Sequence, residues 1–515
     1  MIKRFISVAM VAGLAAGMAI AETPLNYQGE VFGNAGNGDF APYYMMSNNG
    51  GVLTQSKTLA IRLKAWKDFD LSERFSYSFG ADMIGEYASA TDYMQFDHTA
   101  GELRPKSRRP VAERIQQLYG ELKYRGVFLS VGMKERRSPL FNSDLISGDF
   151  IQSGNARPLP EVRAGFVDFQ NIPLTKGWVQ ILVELSFGKY TPGHNSWLEE
   201  HYNYNTSFIN TGVWTHYKSM YFRTKPSERF SVTVGMQVYS QFGGDCLSYR
   251  NGKISNEDRY DVKLKDFWRV FVPGAGGDNF GDSQYVYGNT IGAWDILARY
   301  RLRNDSELRA YFQFPYEDGS GIGKLNGFDG IWGLEYKNAD DHGLVTGAVV
   351  EYLDFTNQSG PTHWAPADNP GSTMTGEATG GDGYYNNFRY NSFMNYGLSQ
   401  GSPFIPAIIY NKDGYMRVID NRVRGFHVGV SGRIYDPLKY RLLVSYRKSW
   451  GSYESPRLAT VDDTSFMLEG IYDFRQVSGL SLKGQVAFDR GSLLGDNFGV
   501  MLSLSYKGIL NIFNR

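Results

Sequence analysis

Apolar and polar residues alternate in short stretches along almost the whole chain. Val179-Gln180-Ile181-Leu182-Val183-Glu184-Leu185-Ser186-Phe187 is one such stretch, and Ser231-Val232-Thr233-Val234-Gly235-Met236-Gln237-Val238-Tyr239 is another. Successive side chains of a strand point to opposite faces, so each stretch has an oily face and a face carrying Gln, Glu, Ser and Thr. The stretches pair across compact turns: 59–66 with 75–87, 117–124 with 127–133, 161–169 with 178–190, and 214–223 with 230–242. Further pairs are 291–303 with 308–314, 327–336 with 344–355, 423–435 with 440–450, and 465–474 with 480–489. A last strand, 498–506, has to close against an early one within 25–44. These hairpins and two terminal strands predict an all-β fold, a transmembrane antiparallel β-barrel of about 18 strands (16–18), with short periplasmic turns and long extracellular loops. In 111–124, Val111, Ile115, Leu118 and Leu122 also share a helical face. The strand-like Val127-Phe128-Leu129-Ser130-Val131 after Arg125-Gly126 favours a hairpin there.

Two turns are nearly identical, Ser72-Glu73-Arg74-Phe75-Ser76 with Gly80 and Ser227-Glu228-Arg229-Phe230-Ser231 with Gly235. Hairpin duplication would produce this; so would convergence on one interfacial turn, with polar residues in water and Phe in the aromatic girdle. No fixed period runs through the chain, which disfavours a solenoid or propeller. Long loops fall at 88–109, 134–160, 191–213, 243–289, 357–421 and 451–463, and the two longest are candidates for folding into the lumen as a plug. No long, well-capped helix is apparent.

The start of the chain has the three parts of a secretory signal. Lys3 and Arg4 precede an apolar stretch at 8–20, and Ala19-Ile20-Ala21 is a small-residue cleavage site. We therefore expect residues 1–21 to be removed, leaving an outer-membrane barrel domain at 22–515 exported to the cell outer membrane. No cysteine near that site would take a lipid anchor, and no other stretch has the roughly 18 apolar residues of a spanning helix. Of 53 basic residues, loss of Lys3 and Arg4 leaves 51 against 53 acidic ones, a balance that gives no reason to expect nucleic acid as a partner. The chain is rich in Gly (59), Tyr (35) and Phe (33), and its single Cys excludes an intrachain disulfide. A mean hydropathy of −0.36 suits a barrel, because half of each strand faces a polar lumen. That lumen side carries both signs: Asp82, Glu86, Glu184, Arg441, Arg447, Lys483 and Asp489. They imply either a polar conduit or, the better expectation, opposite charges paired as ordinary packing.

Catalytic motifs are scarce. The seven His residues lack zinc-ligand spacing; the closest group is His194 and His201 around Glu199-Glu200. Gly274-Ala275-Gly276-Gly277 and Gly319-Ser320-Gly321-Ile322-Gly323 lack the Lys-Ser/Thr of a phosphate loop, and no Gly-x-Ser-x-Gly elbow occurs. No catalytic residue, metal site or cofactor is expected, although a hydrolase using Ser and His from separate strands would leave no local signature. Aromatic-polar loops are more informative. Trp197, Tyr202 and Tyr204 lie in one, and Tyr384, Tyr385, Arg389 and Tyr390, continuing to Tyr396, lie in another. Flat rings cover the apolar faces of sugars, while Asn and Arg hydrogen-bond hydroxyls and acidic groups. A girdle or self-packed loop would have the same composition. In the segment 147–163, Pro158 and Pro160 rigidify the entry to a strand, and Asn155 and Arg157 could reach carbonyls or an acidic ligand.

Ser153-Gly154-Asn155-Ala156-Arg157-Pro158-Leu159-Pro160, running into a strand, resembles the Wzi capsule-assembly family. Trp214-Thr215-His216-Tyr217-Lys218-Ser219-Met220-Tyr221-Phe222-Arg223 resembles that family's later His/Lys/Tyr-bearing strand, and the likeness extends loosely over most of the chain. The resemblance implies an 18-stranded outer-membrane barrel, closed rather than freely conducting, that holds capsular polysaccharide at the cell surface without catalysis or cofactor. The expected function is thus a non-enzymatic barrel attaching or helping to assemble capsular or surface polysaccharide. Its expected partners are that polysaccharide and outer-membrane lipid, with envelope-complex partners left open. Trp197, Tyr202, Tyr204, Tyr384, Tyr385, Arg389, Tyr390, Asn155 and Arg157 are the candidate polysaccharide contacts. The alternative is an outer-membrane porin for saccharides or other small solutes; a lipid-modifying enzyme is a more distant one.

Overall fold

The computed structural model describes residues 23–272, 287–317, 319–361, 363–364 and 378–512; the expected signal segment 1–21 and the glycines at 274–277 lie outside them. The barrel strands are β1 (Thr23–Gly36), β2 (Thr58–Lys67), β3 (Phe75–Ala88), β4 (Glu113–Tyr124), β5 (Val127–Met133), β6 (Pro160–Phe166, resuming at Gln170–Asn171) and β7 (Val179–Lys189). Next come β8 (Trp214–Thr224), β9 (Phe230–Phe242), β10 (Asn289–Arg301), β11 (Glu307–Tyr316), β12 (Gly330–Lys337) and β13 (Gly347–Asp354). The last are β14 (Val423–Tyr435), β15 (Leu438–Gly451), β16 (Pro456–Asp473), β17 (Leu480–Gly491) and β18 (Asn497–Ile512). Each pairs antiparallel with its neighbours in sequence, and β18 pairs back onto β1 from Thr23 opposite Ile512 to Gly36 opposite Gly499. The result is a closed 18-stranded barrel with no free edge.

The alternation fixes which way each face turns. In β2, Leu59, Ile61 and Leu63 are exposed, while Thr58, Ala60 and Arg62 are buried. An exposed apolar belt of this kind runs round the wall, and the polar set turns inward, where its hydrogen bonds can be met. The segment 111–124 is resolved in favour of strand, as β4. The repeated turns share a packing device. Gly80 lies opposite Tyr119 and Gly235 opposite Tyr221, and a Cβ at either glycine would stand 2.6 or 2.5 Å from the neighbouring ring. In both places glycine makes room for a tyrosine on the next strand.

Three long loops fold inward across the lumen: 37–57, 134–159 and the part of 355–422 after 378. Phe150, Ile151, Tyr384, Tyr385, Phe393, Phe404 and Ile405 are completely or almost completely buried there. They form an aromatic centre, with Phe150 5.0 Å from Tyr385 and 5.5 Å from both Tyr384 and Phe355. This plug is made of coil and turns, its helical parts being single turns such as α1 (Tyr43–Met46). Of the two longest loops, 357–421 enters the lumen; the described part of 243–289 stays outside, as a hairpin (Gly244–Arg250, Lys253–Tyr260) and a helix.

The plug is bonded to the wall round the circumference. The Phe150 N–H donates to Gln313 Oε1 on β11 (2.6 Å) and the Ser147 N–H to Glu351 Oε2 on β13 (2.7 Å). On β9, Gln237 donates to Asp149 (3.0 Å). His427 on β14 donates from Nε2 to the Leu145 carbonyl and accepts at Nδ1 from the Tyr44 hydroxyl, both at 2.7 Å. Asp489 on β17 accepts from the Tyr43 N–H (2.9 Å), and the Arg447 guanidinium on β15 lies 3.7 Å over the Tyr43 ring. The other five inward charges read from the sequence are paired: Asp82 with Arg62 (2.5 Å), Glu86 with Arg114, Glu184 with Arg136 (2.5 Å) and Arg163 (3.1 Å), Arg441 with Glu469 (3.0 Å), and Lys483 with Glu30 (3.6 Å). Mixed charge here is packing.

Candidate functional site

Five loops converge at the extracellular mouth around a cavity of about 260 Å³. Its floor comes from 51–55, and one side from the hairpin Thr91–Asp97 with Glu102–Arg108, which brings Tyr93, Arg108 and Arg109. The facing side is α2 (Pro192–His201), with Trp197, Glu200 and His201. Arg157 and Tyr396 complete the lining. Helix α2 forms because Thr191 caps it, accepting from the His194 N–H (3.2 Å), and Pro192 occupies the first turn, where no donor is needed.

The aromatic groups are held rigidly. Trp197 stacks on His201, one turn on, with centroids 4.1 Å apart and planes at 16°; His201 Nδ1 donates to the Trp197 carbonyl (2.7 Å), and Tyr93 meets the imidazole edge-on at 4.6 Å. Tyr396 sits with Gly397 at the tip of a minimal hairpin between Met394–Asn395 and Leu398–Ser399, both at positive φ (49° and 79°). That two-residue turn normally takes Asn or Gly at the first position, so a tyrosine there is unusual. A Cβ at residue 397 would stand 2.4 Å from the Trp197 ring, so glycine is required for the close approach. The Tyr396 N–H donates to His194 Nδ1 (3.0 Å), its hydroxyl meets Thr191 Oγ1 (3.0 Å), and the Arg157 guanidinium lies 4.3 Å over its ring. Both histidines are spent on such bonds, not gathered as metal ligands. Burial pushes His194 down to about 3 and His201 to about 4, so both are neutral at pH 7. Arg108, Arg109 and Arg157 against Glu200 leave the lining basic.

No protein-family model matches this chain, and neither does any curated protein. Solved structures do. The outer-membrane protein Wzi of Escherichia coli, described as a carbohydrate-binding β-barrel involved in group 1 capsule assembly, aligns over 96% of this chain and 86% of its own, with TM-score 0.53 and 11% identity. OccAB2 of Acinetobacter baumannii aligns over 95% and 98% (TM-score 0.46, 7% identity), and OprD of Pseudomonas aeruginosa over 96% of both chains (TM-score 0.43, 10% identity). The fold is an outer-membrane barrel. At these identities the likeness is one of architecture and assigns no ligand.

Of the sequence-predicted contacts, Trp197 and Arg157 are brought together in this pocket. The others are not, and the external position expected for Tyr384, Tyr385 and Tyr390 is corrected, because all three are buried. Tyr384 and Tyr385 lie inside the plug: Tyr384 donates to Asp329 (3.1 Å), and Tyr385 donates to the Phe150 carbonyl (2.6 Å) and accepts from the Ser402 N–H (2.8 Å). Tyr390 is buried against Leu159, Tyr190 and Val213. Tyr202 is buried beneath the outer loops against Tyr204 and Tyr249, and the Tyr204 hydroxyl is donated to the Glu199 carbonyl (3.1 Å). Asn155 ties plug loops together, accepting from the Asn48 N–H and donating to the Ser399 carbonyl, each at 3.1 Å. Arg389 is paired with Asp258 of the outer hairpin. Sequence reasoning missed Tyr93, Arg108 and Arg109. The run Arg104-Pro105-Lys106-Ser107-Arg108-Arg109 was the available signal for the basic side.

Proposed function

We propose that this chain is a non-enzymatic outer-membrane anchor that engages an acidic capsular or surface polysaccharide at its extracellular mouth. The observation that carries the reading is the pairing of presented rings with fixed cations in one pocket. Trp197 and Tyr396 offer faces for sugar rings, and Arg157, Arg108 and Arg109 offer planar donors to carboxylates. The resemblance of 153–160 and 214–223 to the Wzi family supports it further; Asn155 of the first segment ties plug loops together, and Tyr217 of the second lies under the plug residue Arg136. Transport of solutes through the lumen is disfavoured, because the inward loops bridge the wall from β9 to β17. The reading is tested by deleting the gene and measuring cell-bound against shed polysaccharide, with complementation by wild type and by Trp197→Ala/Arg157→Ala. Loss of retention restored only by wild type is expected. Unchanged retention in the deletion strain removes the proposal.

A further inference from the structure

The outer wall holds a second unusual arrangement, independent of the polysaccharide reading. In β8, Tyr217, Ser219 and Tyr221 face the lumen; Tyr217 underlies Arg136 at 4.6 Å, and Tyr221 donates to Asp295 (2.9 Å). Strand alternation therefore turns Trp214, His216, Lys218, Met220 and Phe222 outward. By the same rule Phe187 of β7 and Phe242 of β9 face outward. Met220, Phe222 and, on β9, Val234 are exposed as a lipid face requires. Nearer the extracellular rim the wall is covered by α3 (Leu264–Phe271). Phe267 packs within 5.2 to 5.4 Å of Trp214, Phe187 and Phe242, and Phe271 lies 6.0 Å from His216. The helix turns its other side away from the barrel, with Leu264 90% and Trp268 65% exposed and Val272 continuing the stripe.

Lys218 explains how such a helix can end there. Its ammonium donates to the carbonyls of Val270 (3.0 Å) and Phe271 (2.8 Å). These belong to the last turn, whose carbonyls have no partner within the helix and which carries the negative end of the helix dipole. In water neither group needs the other. On a lipid-facing wall the lysine lacks acceptors and the helix end lacks donors, and this contact satisfies both.

We propose that α3 is embedded in the outer leaflet, with the Leu264–Trp268–Val272 stripe packed against lipid acyl chains and Lys218 capping its deep end. The stripe continues the belt formed below it by Met220, Phe222 and Val234, which commits its occupant to lipid. Exposed Lys263 and Lys265 at the N-terminal end stand at headgroup level, suited to lipid phosphates. Lys218 lies four residues down β8 from Trp214, about 13 Å along the strand, so the helix C-terminus reaches well below the rim.

The test places single nitroxide labels at Leu264→Cys and Trp268→Cys in a Cys246→Ser background, in bilayers containing lipopolysaccharide. Leu502→Cys on β18 is the lipid-facing reference, and Thr99→Cys in the turn between Thr91–Asp97 and Glu102–Arg108 is the aqueous one. We expect a water-soluble nickel relaxant to reach residues 264 and 268 about tenfold less than residue 99, with oxygen accessibility like that of residue 502. Accessibility matching residue 99 overturns the proposal. So does spectral broadening that vanishes on dilution with unlabelled protein, which would mean a second copy covers the stripe. Adding Lys218→Met to Trp268→Cys should raise label mobility and nickel access severalfold, while the heat-modifiable mobility of the barrel is retained. An unchanged spectrum overturns the capping role.

Discussion

Tyr385 and Tyr396 belong to the same loop and to similar Tyr/Asn-rich sequence, and both hold a positive φ (69° and 49°). Their fates are opposite. Tyr385 is sealed against Phe150 and Phe393 in the middle of the lumen, its hydroxyl bonded on both sides. Tyr396 is carried on a tight turn to the mouth, where one face is covered by Arg157 and the ring borders open space. The difference shows that an aromatic-polar loop in a barrel has two uses. Depth, not composition, separates the ring that plugs from the ring that can meet a ligand.

Truncating each ring in turn should separate the two sites. Tyr385→Ala should cost about 3–5 kcal/mol, as large buried aromatics do, and Tyr396→Ala less than about 1 kcal/mol. Urea unfolding in detergent micelles measures both, and equal losses would erase the distinction. Acid should then separate the two regions without mutation. His194 and His201 have folded values of about 3 and about 4, below the roughly 6.5 of an unfolded chain. The unfolded loop therefore binds protons first, and α2 loses stability as pH falls from about 6.5 towards 4, by up to about 2 kcal/mol per histidine at pH 5. Hydrogen exchange should rise in residues 192–201 at pH 5 while the centre of the plug stays protected. Uniform protection would contradict this.

Binding gives the smaller effects. Trp197→Ala should weaken capture of an acidic polysaccharide by about tenfold, near 1.4 kcal/mol, with no change in barrel stability. Arg157→Lys keeps the charge but loses the planar stack on Tyr396, and should cost two- to fivefold, about 0.5–1 kcal/mol. Surface plasmon resonance against charged and neutral polysaccharides checks both, and an undiminished response from Trp197→Ala would move the site elsewhere.

Much of the barrel was legible because alternation is imposed wherever a strand has lipid on one side and polar lumen on the other. The strands at 127–133, 230–242 and 423–435 agree with the structure end to end. Closure of the last strand on an early one within 25–44 was equally readable. Where that asymmetry ends, the signal ends. Residues 451–463 were expected to be loop, yet β16 starts at Pro456; Pro456–Val461 are mostly exposed, so no oily face marks them. Helix α2 had a readable start in Thr191-Pro192, but only Leu198 and two histidines are buried on it, too weak a stripe for a periodic signal. The plug was hardest. Its side chains look like surface-loop residues because the lumen wall supplies the hydrogen bonds that water supplies outside.

A barrel closed by its own loops should pass no steady flow of ions. Planar-bilayer recording of the purified protein measures this. No steady open-channel current is expected from wild type, and current should appear when residues 380–418 are deleted. Sustained ohmic conductance from the wild-type protein would contradict it.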